Sequence, residues 1–282
     1  MNTAAWVATS LFKTVLPNRV TATLRRLSLE RRRRGRPFPF VVLEPQSGRT
    51  LNCCIAYNKY GAYCVPVSGL HRPAALYLLA GEVWEPPTID LMISHCQHGD
   101  MIHAGTFFGD FLPALAAASS AVGGKVWAFE PNPESYRCAV ITLQLNQIDN
   151  VELMNAGLGE RSDNRMLITN EGGVSLGGAS YLLPSAGDAQ PAPSGPITPV
   201  RLVTIDETVP DDRPVSVIQL DVEGYEELAL TGAMRTIRKY RPLLILETVP
   251  GAAWMSEHLE PLGYQIAESF LENTVVRPSS RG

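Results

Sequence analysis

From Gly99 onward the chain alternates short apolar runs with longer segments of helical period. Met101 to Ala104, Lys125 to Phe129, Val151 to Met154, Val215 to Leu220 and Leu243 to Leu246 read as strands. They are too short for helices and mostly apolar, as strands of a sheet covered on both faces tend to be. Between them, Phe108 to Ala121, Pro133 to Leu145, Glu226 to Lys239 and Ala252 to Leu259 read as helices. Two final runs, Tyr264 to Glu268 and Asn273 to Val276, look like strands again. This alternation predicts an α/β fold, a mostly parallel sheet with helices on both faces.

In such a sheet, ligands bind beyond the carboxyl ends of the strands, so those ends carry the chemistry. The first strand ends in HAGTFFGD, where Gly105 and Gly109 frame a tight turn into a helix. Glycine lets the backbone approach a ligand closely, and a helix N-terminus offers free N–H groups to an anion such as a methionine carboxylate. The spacing is GxxxG, so the dinucleotide fingerprint GxGxxG is absent. The second strand ends in WAFEPNP; Glu130 at its tip can accept hydrogen bonds from both hydroxyls of a ribose. That supports a nucleoside without choosing which one. The third strand ends in MNAGLGE, which puts Asn155 and Ala156 where an adenine ring would lie, although Asn155 serves equally well as a turn cap. The fourth ends in LDVEGYE and the fifth in LETVP, so that Asp221, Glu223 and Glu247 converge on one cleft. Such a cluster can deprotonate a hydroxyl, hold sugar hydroxyls or ligate a hard cation such as Mg²⁺. Glu226 and Glu227 read instead as helix-start acids that favour the dipole. His95, Cys96 and His98 lack metal-ligand spacing and read as helix-end and core residues.

Upstream, residues 1–39 form a basic arm. Residues 1–40 hold eight arginines and one lysine against a single acid, Glu30, in a chain whose net charge is -4. A basic arm on an acidic body suggests contact with an anionic surface or a role in closing an oligomer. The overall charge argues against non-specific nucleic-acid binding. Residues 3–30 carry helical spacing broken near Pro17, and an Arg-rich start of this kind shares the look of an organellar transit peptide. Residues 40–98 read as a β/helical extension, with strands at 40–43, 51–57 and 62–67 and helices at 72–80 and 87–96. Residues 99–282 form the ligand-binding domain, interrupted at 184–199 by a Pro/Gly/Ala-rich loop that is either a flexible insertion or a lid. The five cysteines are odd in number and form no CxxC, which suits reduced thiols in a cytoplasmic protein. No run approaches the ~18 apolar residues of a membrane-spanning helix.

The segments GDMIHAGTFFGDF, VWAFEPNPESYRCAVITLQLN, VRLVTIDE, VIQLDVEGYEELALTGA and RPLLILE together resemble the FkbM-type S-adenosylmethionine (SAM)-dependent methyltransferases, from about Gly99 to Ile266. Upstream, YCVPVSGLHRPAA and GEVWEPP also resemble segments of that family. The resemblance implies a Rossmann-like class I methyltransferase fold with seven strands, the last antiparallel. It also implies SAM as methyl donor and O-methylation of a hydroxyl on a saccharide or natural product. By position, Gly105 and Gly109 match the first-motif glycines, Glu130 the ribose-binding acid, and Asp221 and Glu223 the DVEG motif. The cofactor-side residues are then His103, Gly105, Thr106, Phe107, Gly109, Asp110, Glu130, Asn132, Asn155, Ala156 and Asp221. The catalytic pair is Asp221 and Glu223, Glu247 faces the substrate, and no metal ligands are assigned. The chain departs from the family pattern in three places. His103 stands where an acid is usual, Thr106-Phe107 replace Ala-Asn in the loop, and Gln219 replaces a basic residue before DVEG. A SAM-binding scaffold without catalysis is the main alternative to an enzyme. A nicotinamide-dependent oxidoreductase, lacking GxGxxG and a Tyr-x-x-x-Lys pair, is the weaker one.

Overall fold

The computed structural model describes residues 50–183 and 197–279. The basic arm, the strand expected at 40–43 and most of the 184–199 loop lie outside the described residues. The described chain begins with a hairpin of β1 (Cys53–Asn58) and β2 (Gly61–Pro66), followed by α1 (Pro73–Leu79) and α2 (Pro86–His95). Each helix opens on a proline, whose fixed φ and missing N–H suit a first turn.

Strand β3 (Asp100–Ala104), α3 (Leu112–Ser120), β4 (Val126–Phe129), α4 (Pro133–Leu145) and β5 (Val151–Met154) follow as two β-α-β units. The chain then leaves the main sheet through short strands β6 (Gly157–Leu158), β7 (Asp163–Ile168), β8 (Asn170–Glu171), β9 (Val174–Ser175), β10 (Tyr181–Leu182) and β11 (Ile197–Val203). After a single turn of helix, α5 (Ile205–Thr208), it returns through β12 (Val215–Leu220), α6 (Glu226–Thr231), α7 (Met234–Tyr240), β13 (Leu243–Leu246) and α8 (Ala252–His258). It ends in β14 (Tyr264–Phe270) and β15 (Asn273–Pro278).

Seven strands form the main sheet in the order β14-β15-β13-β12-β3-β4-β5. The pairs from β13 through β12, β3 and β4 to β5 are parallel, and β15 runs antiparallel to both β13 and β14. This is the seven-stranded class I arrangement that the resemblance implies, with the last strand in chain order the reversed one.

The strands alternate their side chains between two buried faces, as a period of two requires. Ile102, Ala104, Trp127, Phe129, Ile218, Leu220, Leu244 and Leu246 join one core, with Ala229, Leu230 and Ile237 from α6 and α7. Met101, Val126, Ala128, Val217, Leu243 and Ile245 join the other, with Ile89 and Met92 of α2, Leu112 and Leu115 of α3, and Ala139 of α4. At the foot of β3, buried Asp100 takes a two-pronged contact from Arg213 and accepts from Trp127 Nε1–H at 2.9 Å. That network ties β3, β4 and the start of β12 together.

Two expectations change. The helix read over 226–239 is two helices, α6 and α7, on either side of Gly232, where a Cβ would meet the Gly159 carbonyl oxygen at 2.1 Å. The chain restarts at α7 with Asp206 as its cap: Oδ2 accepts from Arg235 N–H at 2.8 Å and Oδ1 from Thr236 N–H at 2.9 Å. The helix read from Phe108 begins only at Leu112, since Gly105 to Phe111 make the loop that reaches the sheet edge. The small sheet β10-β7-β11-β6 is absent from the sequence reading altogether.

Candidate functional site

Ladder hydrogen bonds continue one residue past the strand ends and fix the site in register. Gly105 N–H donates to Phe129 O at 3.1 Å, Asp221 N–H to Ala104 O at 3.1 Å, Glu130 N–H to Met154 O at 3.0 Å and Glu247 N–H to Leu220 O at 3.0 Å. Four of the residues singled out in the sequence, from four neighbouring strands, therefore share one edge. Gly105 has φ +83°, and a Cβ there would lie 1.8 Å from the Asp221 carbonyl oxygen. No other residue fits this crossing of the first and fourth strand ends.

Two cavities meet at that crossing; Gly105, Gly178 and Asp221 line both. The first is largely apolar, walled by Phe129, Pro131, Ala156, Leu158, Leu167, Leu182, Val222 and Tyr225, with Glu130 at its rim. Glu130 is 4% exposed. Its Oε2 accepts from Phe107 N–H at 2.7 Å and its Oε1 from Asn132 N–H at 2.8 Å. Burial pushes its pKa up to about 8 against the pull of those two donors, with the charge of Asp110 adding to the rise.

The second cavity is acidic. His103, Asp110, Asp221, Glu223, Glu247, Glu85 and Glu272 line it, and among the described residues Arg72 is the one basic side chain besides His103 that lines it. One oxygen each of Asp221, Glu223 and Glu247 can be chosen so that all three lie within 4.8 Å of one another. Glu223 and Gly224 take φ +54° and +90°, so the DVEG turn doubles back sharply. Glu226, 1% exposed, braces this turn from below by accepting from Val222 N–H at 3.2 Å. Burial raises Asp221 well above the usual carboxylate range and Glu247 beside it adds to the rise; burial and then Glu247 push Glu223 up to about 7. Asp110 is raised to about 7, again chiefly by burial.

His103 and Gln219, two departures from the family pattern, are cross-strand partners in β3 and β12. His103 Nδ1 lies 2.5 Å from Gln219 Oε1, and the imidazole stacks on Phe111 with ring centres 5.0 Å apart. With an amide oxygen as acceptor, Nδ1 carries the proton and Nε2 keeps its lone pair. Burial lowers the His103 pKa to about 4, so the ring is neutral at physiological pH. Nε2 is buried and has no hydrogen-bond partner among the described residues. An uncharged pair thus replaces the charged residues that the family pattern has at these two positions.

Of the remaining sequence-selected residues, Phe107 lines the acidic cavity, and Thr106, Gly109, Asn132 and Asn155 support the loops around it. Thr106 is buried, and its hydroxyl donates to His103 O at 3.3 Å. Phe107, at φ +50°, packs its ring against Gly69, Gly177 and Gly178 and lines the acidic cavity. Gly109 faces Leu112 and Ala139, so it serves the packing of α3 on α4. Asn132 caps α4 by accepting from Glu134 N–H at 3.0 Å, and it donates to Ser180 at 3.1 Å. The Asn155 side chain donates to the carbonyls of Glu130 and Pro131, at 2.8 and 3.1 Å, and so fixes the turn that carries Glu130. Sequence reasoning missed Arg72, Glu85 and Glu272. Arg72 and Glu85 sit in the SGLHRPAA and GEVWEPP segments, and the resemblance of those segments was the available signal. Glu272 sits in the β14–β15 turn, where nothing in the sequence pointed to it.

The methyltransferase FkbM domain matches residues 103–266 of the chain. Among solved structures, the chain is similar to methyltransferase FkbM from Methylobacillus flagellatus, with 20% identity and a TM-score of 0.40 over 64% of this chain and 43% of that one. The chain therefore spans less than half the length of that protein. It is also similar to the tRNA (uracil-54, C5)-methyltransferase of Pyrococcus abyssi, solved with S-adenosyl-L-homocysteine, with 10% identity and a TM-score of 0.41 over 80% of this chain and 44% of that one. A SAM-dependent methyltransferase from Aquifex aeolicus matches with 14% identity and a TM-score of 0.36 over 69% of this chain and 88% of that one. No curated protein matches the chain.

Proposed function

We propose, from the premise that the chain belongs to the FkbM methyltransferase family, that it transfers a methyl group from SAM to a hydroxyl of a saccharide or other natural product. The observation that carries this reading is the junction of an apolar, Glu130-rimmed cavity with an acidic one across Gly105 and Asp221. The residues fit the donor. Glu130 offers carboxylate oxygens to ribose hydroxyls, and Ala156, Leu158 and Tyr225 offer apolar walls to a purine. Gly105 lines both cavities, so its backbone lies where the chain that links purine and methionine ends would pass.

When bound, SAM supplies an electrophilic methyl group whose carbon–sulfur bond breaks as the acceptor oxygen takes the carbon and sulfur keeps the electron pair. Everything else is work for this chain. The acceptor hydroxyl must lie in line, ~3–3.5 Å from the methyl carbon, and that positioning supplies much of the rate. Its proton passes to a carboxylate of Asp221 or Glu223; burial pushes Glu223 up to about 7, which suits a base that must hold a proton near neutrality. Arg72 and Glu247 are the groups we assign to acceptor hydroxyls and anionic substituents. The acceptor is a small molecule or glycan. The basic arm, residues 1–39, would hold the enzyme at an anionic surface or join it to a second copy. Among the described residues no helix is long and apolar enough to cross a membrane.

The test is a pair of measurements on Asp221→Asn. The variant should bind SAM within about threefold of wild type and lose methyl transfer to any acceptor that the wild type uses. Unchanged turnover would remove Asp221 from the reaction.

A further inference from the structure

The acidic cavity holds more negative charge than the proposed reaction needs. One base is enough for a hydroxyl, yet three carboxylates from two strand ends gather around one point. Asp221 and Glu223 come from the turn after β12, and Glu247 from the end of β13. A second, independent feature faces the same cavity. His103 is 3% exposed and lines it, with Nδ1 tied to Gln219 and Nε2 without a partner among the described residues. A buried nitrogen lone pair with no donor costs free energy comparable to a lost hydrogen bond. The occupant that satisfies both features brings positive charge to the carboxylates and a hydrogen-bond donor to the imidazole.

We propose that Asp221, Glu223 and Glu247 bind a divalent cation of the Mg²⁺/Mn²⁺ class, with a cation-bound water donating to His103 Nε2. All-oxygen donors suit these hard ions. Such ions keep several waters when a protein supplies only a few carboxylates, which provides the donor that His103 lacks. The site stands on these four side chains and needs no SAM. Its consequence for transfer rests on the function proposed above: an acceptor hydroxyl on the cation would lose its proton more readily, as cation-bound water does.

Mn²⁺ is the probe, because its free-ion electron paramagnetic resonance signal disappears on binding. Titration of the full chain at pH 7.5 should show one Mn²⁺ per chain, displaced by excess Mg²⁺. Asp221→Asn and Glu247→Gln should each weaken binding at least tenfold, and the exposed control Glu257→Gln should leave it unchanged. In the unaltered protein, bound Mn²⁺ should broaden the His103 ring resonances, a readout that does not depend on any variant folding. Absence of stoichiometric binding, or binding that leaves His103 sharp and ignores Asp221→Asn, would overturn the site. SAM binding measured on the same samples separates the two readings. Mn²⁺ without SAM would remove the donor and keep the cation, and SAM without Mn²⁺ would do the reverse.

Discussion

Glu130 carries two loads at once. It accepts backbone donors from both the glycine loop and the start of α4, and so shapes the site before any ligand arrives. It is also the group that we assign to the ribose hydroxyls. Glu130→Ala should therefore weaken SAM by about 1.5–3 kcal/mol, roughly 10- to 100-fold, the range for hydrogen bonds to a charged group. Because burial lifts its pKa to about 8, much of it is protonated at pH 7 in the free protein. The hydroxyls need the carboxylate, so binding releases a proton below pH 8. Affinity should rise by up to about tenfold per pH unit from 6 toward 8 and level off above. Calorimetry in buffers of different ionisation enthalpy reads the released proton, and Glu130→Gln should abolish that part of the pH dependence. Gly105 makes a harsher demand. Gly105→Ala places a methyl on the Asp221 carbonyl and forces a side chain into φ +83°, so it should cost several kcal/mol in denaturant unfolding and remove SAM binding.

At the scale of elements, the parallel strands were readable because each is a short, mostly apolar run between segments of helical period. Val151–Met154, Val215–Leu220 and Leu243–Leu246 stand where the pattern put them. The carboxyl-edge residues Gly105, Glu130, Asp221 and Glu247 were readable for the same reason, since each directly follows such a run. The break between α6 and α7 was not readable, because the groups packed there, the Gly159 carbonyl and the Asp206 cap, lie far upstream of Gly232. Nor was β6 to β11: β6, β8, β9 and β10 have two residues each, and β7 and β11 pair with each other and not with the main sheet. Local sequence could not say that Asn155 would spend its amide on the Glu130 and Pro131 carbonyls, or that Gly109 would face Ala139. One element-scale outcome checks the broken helix. Asp206→Ala removes the cap from α7 and should cost ~0.5–2 kcal/mol in unfolding free energy without changing SAM affinity. A cost near zero would mean that α7 starts without it.

Across the whole molecule, burial and charge are set against each other around one cavity. Asp110 and Glu130 are raised to about 7 and about 8 by burial. Their unfolded values lie near 4, so between pH 4 and 8 the folded chain holds protons that the unfolded chain has lost. Stability from these two groups is complete at the acid end of that window and declines as pH rises through 7 and 8. The free protein should therefore melt at a higher temperature at pH 6 than at pH 8.5, and the Glu130→Gln, Asp110→Asn double variant should flatten that difference. The N-terminal part of the described chain belongs to this balance. It packs on α4, where Cys64 N–H donates to Thr142 Oγ1 at 3.0 Å, and it sends Arg72 and Glu85 into the cavity. The FkbM match begins only at residue 103, so these contributions lie outside the matched domain.

The central claim is that the cavity rimmed by Glu130 holds SAM, and a calorimetric titration tests it most directly. The folded wild-type protein should bind SAM saturably at one site per chain, Glu130→Ala should bind at least tenfold more weakly, and NADH should give no heat. A folded protein that takes up no SAM, or takes it up equally well without the Glu130 carboxylate, would contradict the account.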